Sequence, residues 1–178
     1  MNFGASKNKD DKELVNQRNF IIEPLPDMPD HSFWKVAKDE HLLAAAQQIR
    51  DKYYPGKNVV VRGEFAGPGV QGNYYDLKTH TVFAFEIEID GRPVDAGHFL
   101  GFCNEFGLKT VPILSQGKTL REWLNGRTIQ EASNGQSTLI AKPREGVVIK
   151  PMVEEAVDGF GRLFIKQRSP DYLAKTEN

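Results

Sequence analysis

At 178 residues the chain is long enough for one domain with a sizeable core and short for two, and its 39% apolar and 26% charged residues are the balance of a soluble globular protein. Its longest apolar runs, such as Val59–Val61 and Gly146–Ile149, fall far short of the roughly 20 residues that a bilayer core demands, so no membrane span is expected. With 23 basic and 24 acidic side chains and a net charge of −1, the molecule has no overall field to draw nucleic acid, and any phosphate binding has to be local.

Met1 to Lys12 is polar and charged and lacks an apolar leader core, which predicts no secretory signal and a cytoplasmic location. Residues 1–13 read as a frayed start, residues 14–173 as the single domain and residues 174–178 as a tail. Leu14 to Ile22 holds a short strand, and Pro24, Pro26 and Pro29 mark a loop. Asp39 is the expected N-cap of a helix to about Lys52, with Leu42, Leu43, Ala46 and Ile49 on one face and Tyr54-Pro55-Gly56 as its stop. Val59 to Phe65 is a continuous β-branched run, followed by a glycine-rich loop from Gly67 to Asn73. Thr81 to Ile89 alternates, which predicts Phe83, Phe85, Ile87 and Ile89 on a buried face and Glu86 and Glu88 on the other. A helix starts at Asp95, buries Phe99, Phe102, Cys103 and Phe106, and stops at Gly107. Thr119 and Thr128 cap two short helices, with Leu120, Trp123, Leu124, Ile129 and Ala132 as core contacts. Strands over Gly146–Lys150 and Arg162–Lys166 complete an α+β pattern. The lone Cys103 cannot form an internal disulfide and reads as a buried thiol.

Four stretches carry candidate chemistry. Glu64 closes a buried strand beside the glycine-rich loop, where a carboxylate can accept a ribose hydroxyl, although a plain strand and turn would look the same. Phe83 and Phe85 offer rings on a rigid strand, as base stacking requires and as an ordinary core strand also does. Glu145 and Lys150 lie five residues apart, roughly 17 Å if extended, and so serve different parts of a ligand. Lys166 and Arg168 share a strand face and can meet one anion together. The last third gathers Lys142, Arg144, Lys150, Arg162, Lys166 and Arg168, a cluster that by itself also fits a solvated face.

In this order the stretches Arg62-Gly63-Glu64, Phe83-Ala84-Phe85-Glu86-Ile87, Glu145-Gly146-Val147-Val148-Ile149-Lys150 and Phe164-Ile165-Lys166-Gln167-Arg168 resemble motifs III, IIIa, IV and V of the covalent nucleotidyltransferases. Gly67-Pro68-Gly69-Val70-Gln71-Gly72-Asn73 and Gln17-Arg18-Asn19 narrow the resemblance to ATP-dependent RNA ligases of the phage and RNA-editing type. The resemblance implies a partial, ATP-grasp-like adenylation domain of antiparallel sheets with flanking helices, acting on RNA ends with ATP (held as AMP) and Mg²⁺. By resemblance, Glu64 would hold the ribose and Phe85, or less readily Phe83, would stack on adenine. Glu145 would bind the metal, Lys150, Lys166 and Arg168 the phosphates, and Arg18 the substrate end or leaving group.

One departure matters: the family attacks ATP with the lysine of a Lys-x-Asp-Gly motif, and these residues contain none. Lys9-Asp10-Asp11-Lys12 comes nearest, but Lys12 stands where glycine belongs and Arg18 follows too soon. The chain is therefore expected to be inactive in self-adenylation alone. It reads as part of a longer ligase, as half of a split enzyme whose partner segment supplies the lysine along the Arg18 strand, or as a non-catalytic nucleotide and RNA-end binding module.

Overall fold

The computed structural model describes residues 1–18, 20–24 and 32–176, and the residues between them, Asn19 and most of the expected proline loop included, lie outside the description. β1 (Asn2–Lys7), β2 (Glu13–Gln17), β3 (Phe20–Ile21), β4 (Val59–Ala66), β5 (Thr81–Ile89) and β6 (Arg92–Pro93) form one antiparallel sheet in the order β3-β2-β1-β4-β5-β6. The expected frayed start is thus a central strand. Phe3 and Ala5 alternate with Asn2, Gly4 and Ser6, and the apolar pair is buried. Asn, Gly, Ser and Lys have little strand preference of their own; pairing on both edges overrides it. The charged turn after β1 is also held, because Arg50 donates to the Asn8 carbonyl at 2.9 Å and to Asp11 Oδ1 at 2.8 Å.

Helices cover one face of this sheet. α1 (Ser32–Asp39) buries Phe33, Trp34, Val36 and Ala37, and α2 (Leu42–Tyr53) buries Leu42, Leu43, Ala46 and Ile49 against β1 and β4. Asp39 therefore ends one helix instead of capping the next: His41, at φ 57°, breaks the chain between them and stands at the N-cap of α2. α3 (Ala96–Glu105) packs on β5 with Phe99, Phe102 and Cys103 inward, and Gly107 at φ 66° turns the chain away, as its sequence predicts. Burial pushes the Cys103 thiol up to about 12. We predict that Cys103 resists a thiol reagent such as iodoacetamide up to pH 10 in the native protein and reacts at pH 8.5 once unfolded; mass spectrometry reads the adduct.

The register of β4 against β5 decides which side chains reach which face. Val59, Val61, Gly63 and Phe65 lie opposite Ile89, Ile87, Ala84 and Val82, and together they face the helices. The ladder shifts between Arg62 and Gly63, where Arg62 pairs Glu86 and Gly63 pairs Ala84, leaving Phe85 as the extra residue of a bulge. One extra residue exchanges the faces, so Phe83 and Phe85 do not share a side with Ile87 and Ile89 as simple alternation predicts. Gly63 is required at this point, since a β-carbon there would lie 2.9 Å from the Phe83 carbonyl oxygen.

The chain divides into two compact units, Met1–Val111 and Pro112–Asn178. In the second unit, α4 (Leu120–Leu124) and α5 (Ile129–Ser133) begin with the two predicted threonines, each in a reciprocal capping box with Glu122 or Glu131. Of their expected core residues only Ala132 is buried, and Leu120 is exposed, because helices of five residues have little face to bury. β7 (Gly146–Ile149) pairs with β10 (Ile165–Arg168), so the last strand begins three residues later than predicted. Between them β8 (Ala156–Val157) and β9 (Gly161–Arg162) make a small hairpin, held by Arg162 on Glu154 at 2.5 and 2.6 Å. α6 (Pro170–Thr176) takes up part of the expected tail; Ser169 caps it through its hydroxyl, which accepts from the Tyr172 amide at 3.3 Å. Among the described residues no helix is long and apolar enough to cross a membrane.

Candidate functional site

On the face of the first sheet away from the helices, Glu64 sits across from Asn2 on β1 and from Phe83 on β5. Its carboxylate is half-exposed and takes the amino group of Met1, which also donates to the Phe65 carbonyl at 2.9 Å and to Gln71 Oε1 at 3.3 Å. The Phe65 carbonyl bond continues the β1–β4 ladder, since the Phe65 amide donates back to the Met1 carbonyl at 2.8 Å, while the Glu64 carboxylate and the Gln71 amide oxygen meet beside it at the end of β4. The glycine-rich loop reaches this point because Gly67, Gly69, Gln71, Gly72 and Asn73 all have positive φ, and the Asn73 side chain ties the loop to Leu77 at 2.9 and 3.1 Å. Phe83 and Phe85 are both half-buried; the register sets Phe83 directly opposite Glu64, while Phe85 occupies the bulge. The preference for Phe85 came from the resemblance alone, and the cross-strand neighbour of the carboxylate is Phe83.

Farther along the same face, Arg62 holds Glu88 with two bonds of 2.5 and 2.9 Å. Glu88, first among its neighbours, keeps the Arg62 guanidinium more firmly protonated than usual. Glu86 is buried, so the pair Glu86 and Glu88 is not the open acidic edge that alternation predicts. Arg18 is exposed in the turn between β2 and β3 at φ 48°, with its carbonyl bonded by Asn16 at 3.2 Å.

In the second unit, Glu145 directly precedes β7 and Lys150 directly follows it, the expected spread along an extended strand. The Glu145 carbonyl accepts from the Ser169 amide at 2.8 Å, and its side chain is exposed. Lys166 and Arg168 are exposed on one face of β10, opposite Val148 and Gly146, with the Arg168 guanidinium 5.7 Å from the Tyr172 ring. The basic cluster of the last third divides by role. Arg144 donates to the carbonyls of Ala132, Ser133 and Asn134 at 2.6 to 2.9 Å, and burial, then Arg127, lowers its pKa. Arg162 is spoken for by Glu154. Two of the six cations are therefore structural, while Lys166 and Arg168 present their charges outward.

Gln71, His80 and the Arg62–Glu88 pair received no role from the sequence. Gln71 belongs to the glycine-rich loop, and only the loop's positive-φ path brings its amide oxygen to the Met1 amino group that Glu64 also takes. Among the described residues no group of three His, Cys, Asp or Glu side chains could hold a metal ion by itself.

Solved structures with the same architecture are RNA ligases of Naegleria gruberi: a lysine-to-methionine variant with AMP and Mn, at 22% identity and TM-score 0.75, over 98% of this chain and 48% of that one. An arginine-to-alanine variant with ATP and Mn matches at 22% identity and TM-score 0.73, and the enzyme with PPi at 22% and 0.74, each over 99% of this chain and 48% of the other. The chain spans about half the length of these structures, and no curated protein matches it. A model of the RNA ligase family matches residues 1–168, and the architecture shared with these ligases agrees with it, so the chain belongs to the RNA ligase family.

Proposed function

We propose that this chain is the nucleotide-holding part of an ATP-dependent RNA ligase, which joins RNA 5′-phosphate and 3′-hydroxyl ends. The observation that carries the reading is the meeting of the Glu64 carboxylate and the Gln71 amide oxygen at the end of β4, with Phe83 across the strand from Glu64. An acceptor cluster next to an aromatic ring suits a nucleoside, whose ribose hydroxyls donate and whose base stacks. Glu64 would take the ribose, and Phe83 or Phe85 the adenine. Lys150, Lys166 and Arg168 would neutralise phosphate charge, Glu145 would share a phosphate-bound Mg²⁺, and Arg18 would meet the RNA end. The bound metal would supply Lewis-acid stabilisation of the phosphates.

Lys9 does not serve as the nucleophile in this reading. Asn2 pairs with Glu64 and Lys7 with Val59, so Lys9 lies past the opposite end of β1, roughly 17 Å or more away. The expected route for a partner segment also changes. β2 is paired by β1 on one edge and, at Asn16 and Gln17, by β3 on the other, so among the described residues the end of the strand next to Arg18 already has its neighbours within this chain. A segment joined to Met1 would instead start at Glu64, where the Met1 amino group lies.

The test is labelling with radioactive ATP and Mg²⁺ on a denaturing gel. The chain alone should stay unlabelled, and a fusion carrying Lys-x-Asp-Gly ahead of Met1 should label on the added lysine. Glu145→Ala and Lys166→Ala should each lower that labelling by roughly 100-fold, by analogy with other preorganised electrostatic contacts. Label on the unfused chain that disappears in Lys9→Ala would overturn the account of the missing lysine. A fusion that binds AMP yet never labels would point to a non-catalytic nucleotide-binding module.

A further inference from the structure

We infer that His80 is a positioning residue for the nucleotide site, tying the glycine-rich loop to the aromatic core and so setting Gln71 beside Glu64. The inference rests on the ligase reading and deepens it. His80 immediately precedes β5, and its imidazole is stacked on Phe65, the residue after Glu64, with ring centres 5.0 Å apart. Phe65 in turn stacks on Phe33 at 4.5 Å, and Phe33 on Phe3 at 5.7 Å, so His80 is the last ring of a stack that begins in the centre of the core. Its Nε2 donates to the Pro68 carbonyl at 2.7 Å, a role open to the imidazole protonated at Nε2 and to the imidazolium alike.

Pro68 stands at the start of the loop whose far side carries Gln71. From Pro68 the path is short and internally bonded: the Val70 amide donates to the Gly67 carbonyl at 3.1 Å and the Asn73 amide to the Val70 carbonyl at 2.7 Å. Gly67 allows the approach, since a β-carbon there would lie 2.8 Å from His80 Cα and Cδ2, at a φ of 144°. The ring thus acts on the acceptor cluster through the loop and touches none of the proposed ligand contacts. A loop with this many positive-φ residues has many competing conformations, and one pinned carbonyl removes most of them.

Two substitutions separate the hydrogen bond from the stack. His80→Phe keeps a ring on Phe65 and loses the donor; His80→Gln keeps an amide donor and loses the ring. AMP affinity is measured by titration calorimetry, thermal unfolding is followed alongside, and amide exchange is read at Val70 and Asn73. His80→Phe should weaken AMP binding about tenfold, the scale of one hydrogen bond, and speed exchange in the loop without lowering the melting temperature. His80→Gln should lie closer to wild type in both. Wild-type binding and exchange in His80→Phe would overturn the inference, as would losses in both variants that merely track melting temperature. If the wild-type chain binds no AMP, the ligase reading falls first. The exchange comparison then decides for His80: unchanged loop exchange in His80→Phe sinks it, and faster exchange restored by His80→Gln supports it.

Discussion

Replacing Gly146 with alanine is expected to unfold the β7–β10 pair and with it the second unit. Gly146 has a φ of 154°, and a β-carbon there would fall on the Gln167 carbonyl oxygen and lie 2.8 Å from Arg168 Cα. Neither neighbour is a flexible side-chain end; both belong to the backbone of the partner strand. Relief requires the strands to part at the Arg168–Gly146 pair, which is also where the Ser169 amide meets the Glu145 carbonyl. A loss of about 4 kcal/mol or more is expected, at the upper end for single substitutions, because steric overlap and backbone strain act together. Amide exchange resolved by residue checks it: protection should collapse over residues 146–168 and persist in β4 and β5. Undiminished protection at Val147 and Gln167 would show that the strand pair tolerates the side chain. The same substitution should abolish labelling of a lysine-bearing fusion, since Glu145, Lys166 and Arg168 share that strand pair.

The second large effect is expected at Arg144. Its guanidinium satisfies three consecutive carbonyls, Ala132, Ser133 and Asn134, at the end of α5, and its own amide donates to Gly135. Burial, then Arg127, lowers its pKa, and the three carbonyls supply the hydrogen bonds that hold the charge in place. Arg144→Met should cost about 3 kcal/mol in denaturant unfolding of the second unit, because the carbonyls lose a charged donor that nothing replaces. Arg144→Lys should recover only part of this, since one ammonium cannot span three carbonyls with the planar fork of arginine. An Arg144→Lys variant as stable as the wild type would show that charge alone matters. Ser133 and Asn134 also reach Arg168 and Ser169, so the loss should spread to β10 and α6.

Much of the fold was legible in the residues. β-branched and alternating runs located β4 and β5, glycine marked the end of α3, and the two capping threonines located α4 and α5. These signals are local: a cap, a turn or a period is complete within a few residues. The order of the four ligase-like stretches was equally a property of the chain, and the family followed from it.

What depended on distant partners was not legible. β1 looks like a charged tail until β2 and β4 flank it and Arg50, from α2, closes its turn. The bulge at Phe85 exists because Gly63 and Arg62 pair across a shifted ladder, and it reverses the faces that alternation assigns. Arg144 and Arg162 resemble ligand-binding cations in the sequence; only their carbonyl and Glu154 partners reveal them as structural. Period, capping and composition belong to the chain itself. Which face a side chain joins, and whether a charge is already satisfied, is decided by strands and helices far away in the sequence, and so by the tertiary structure alone.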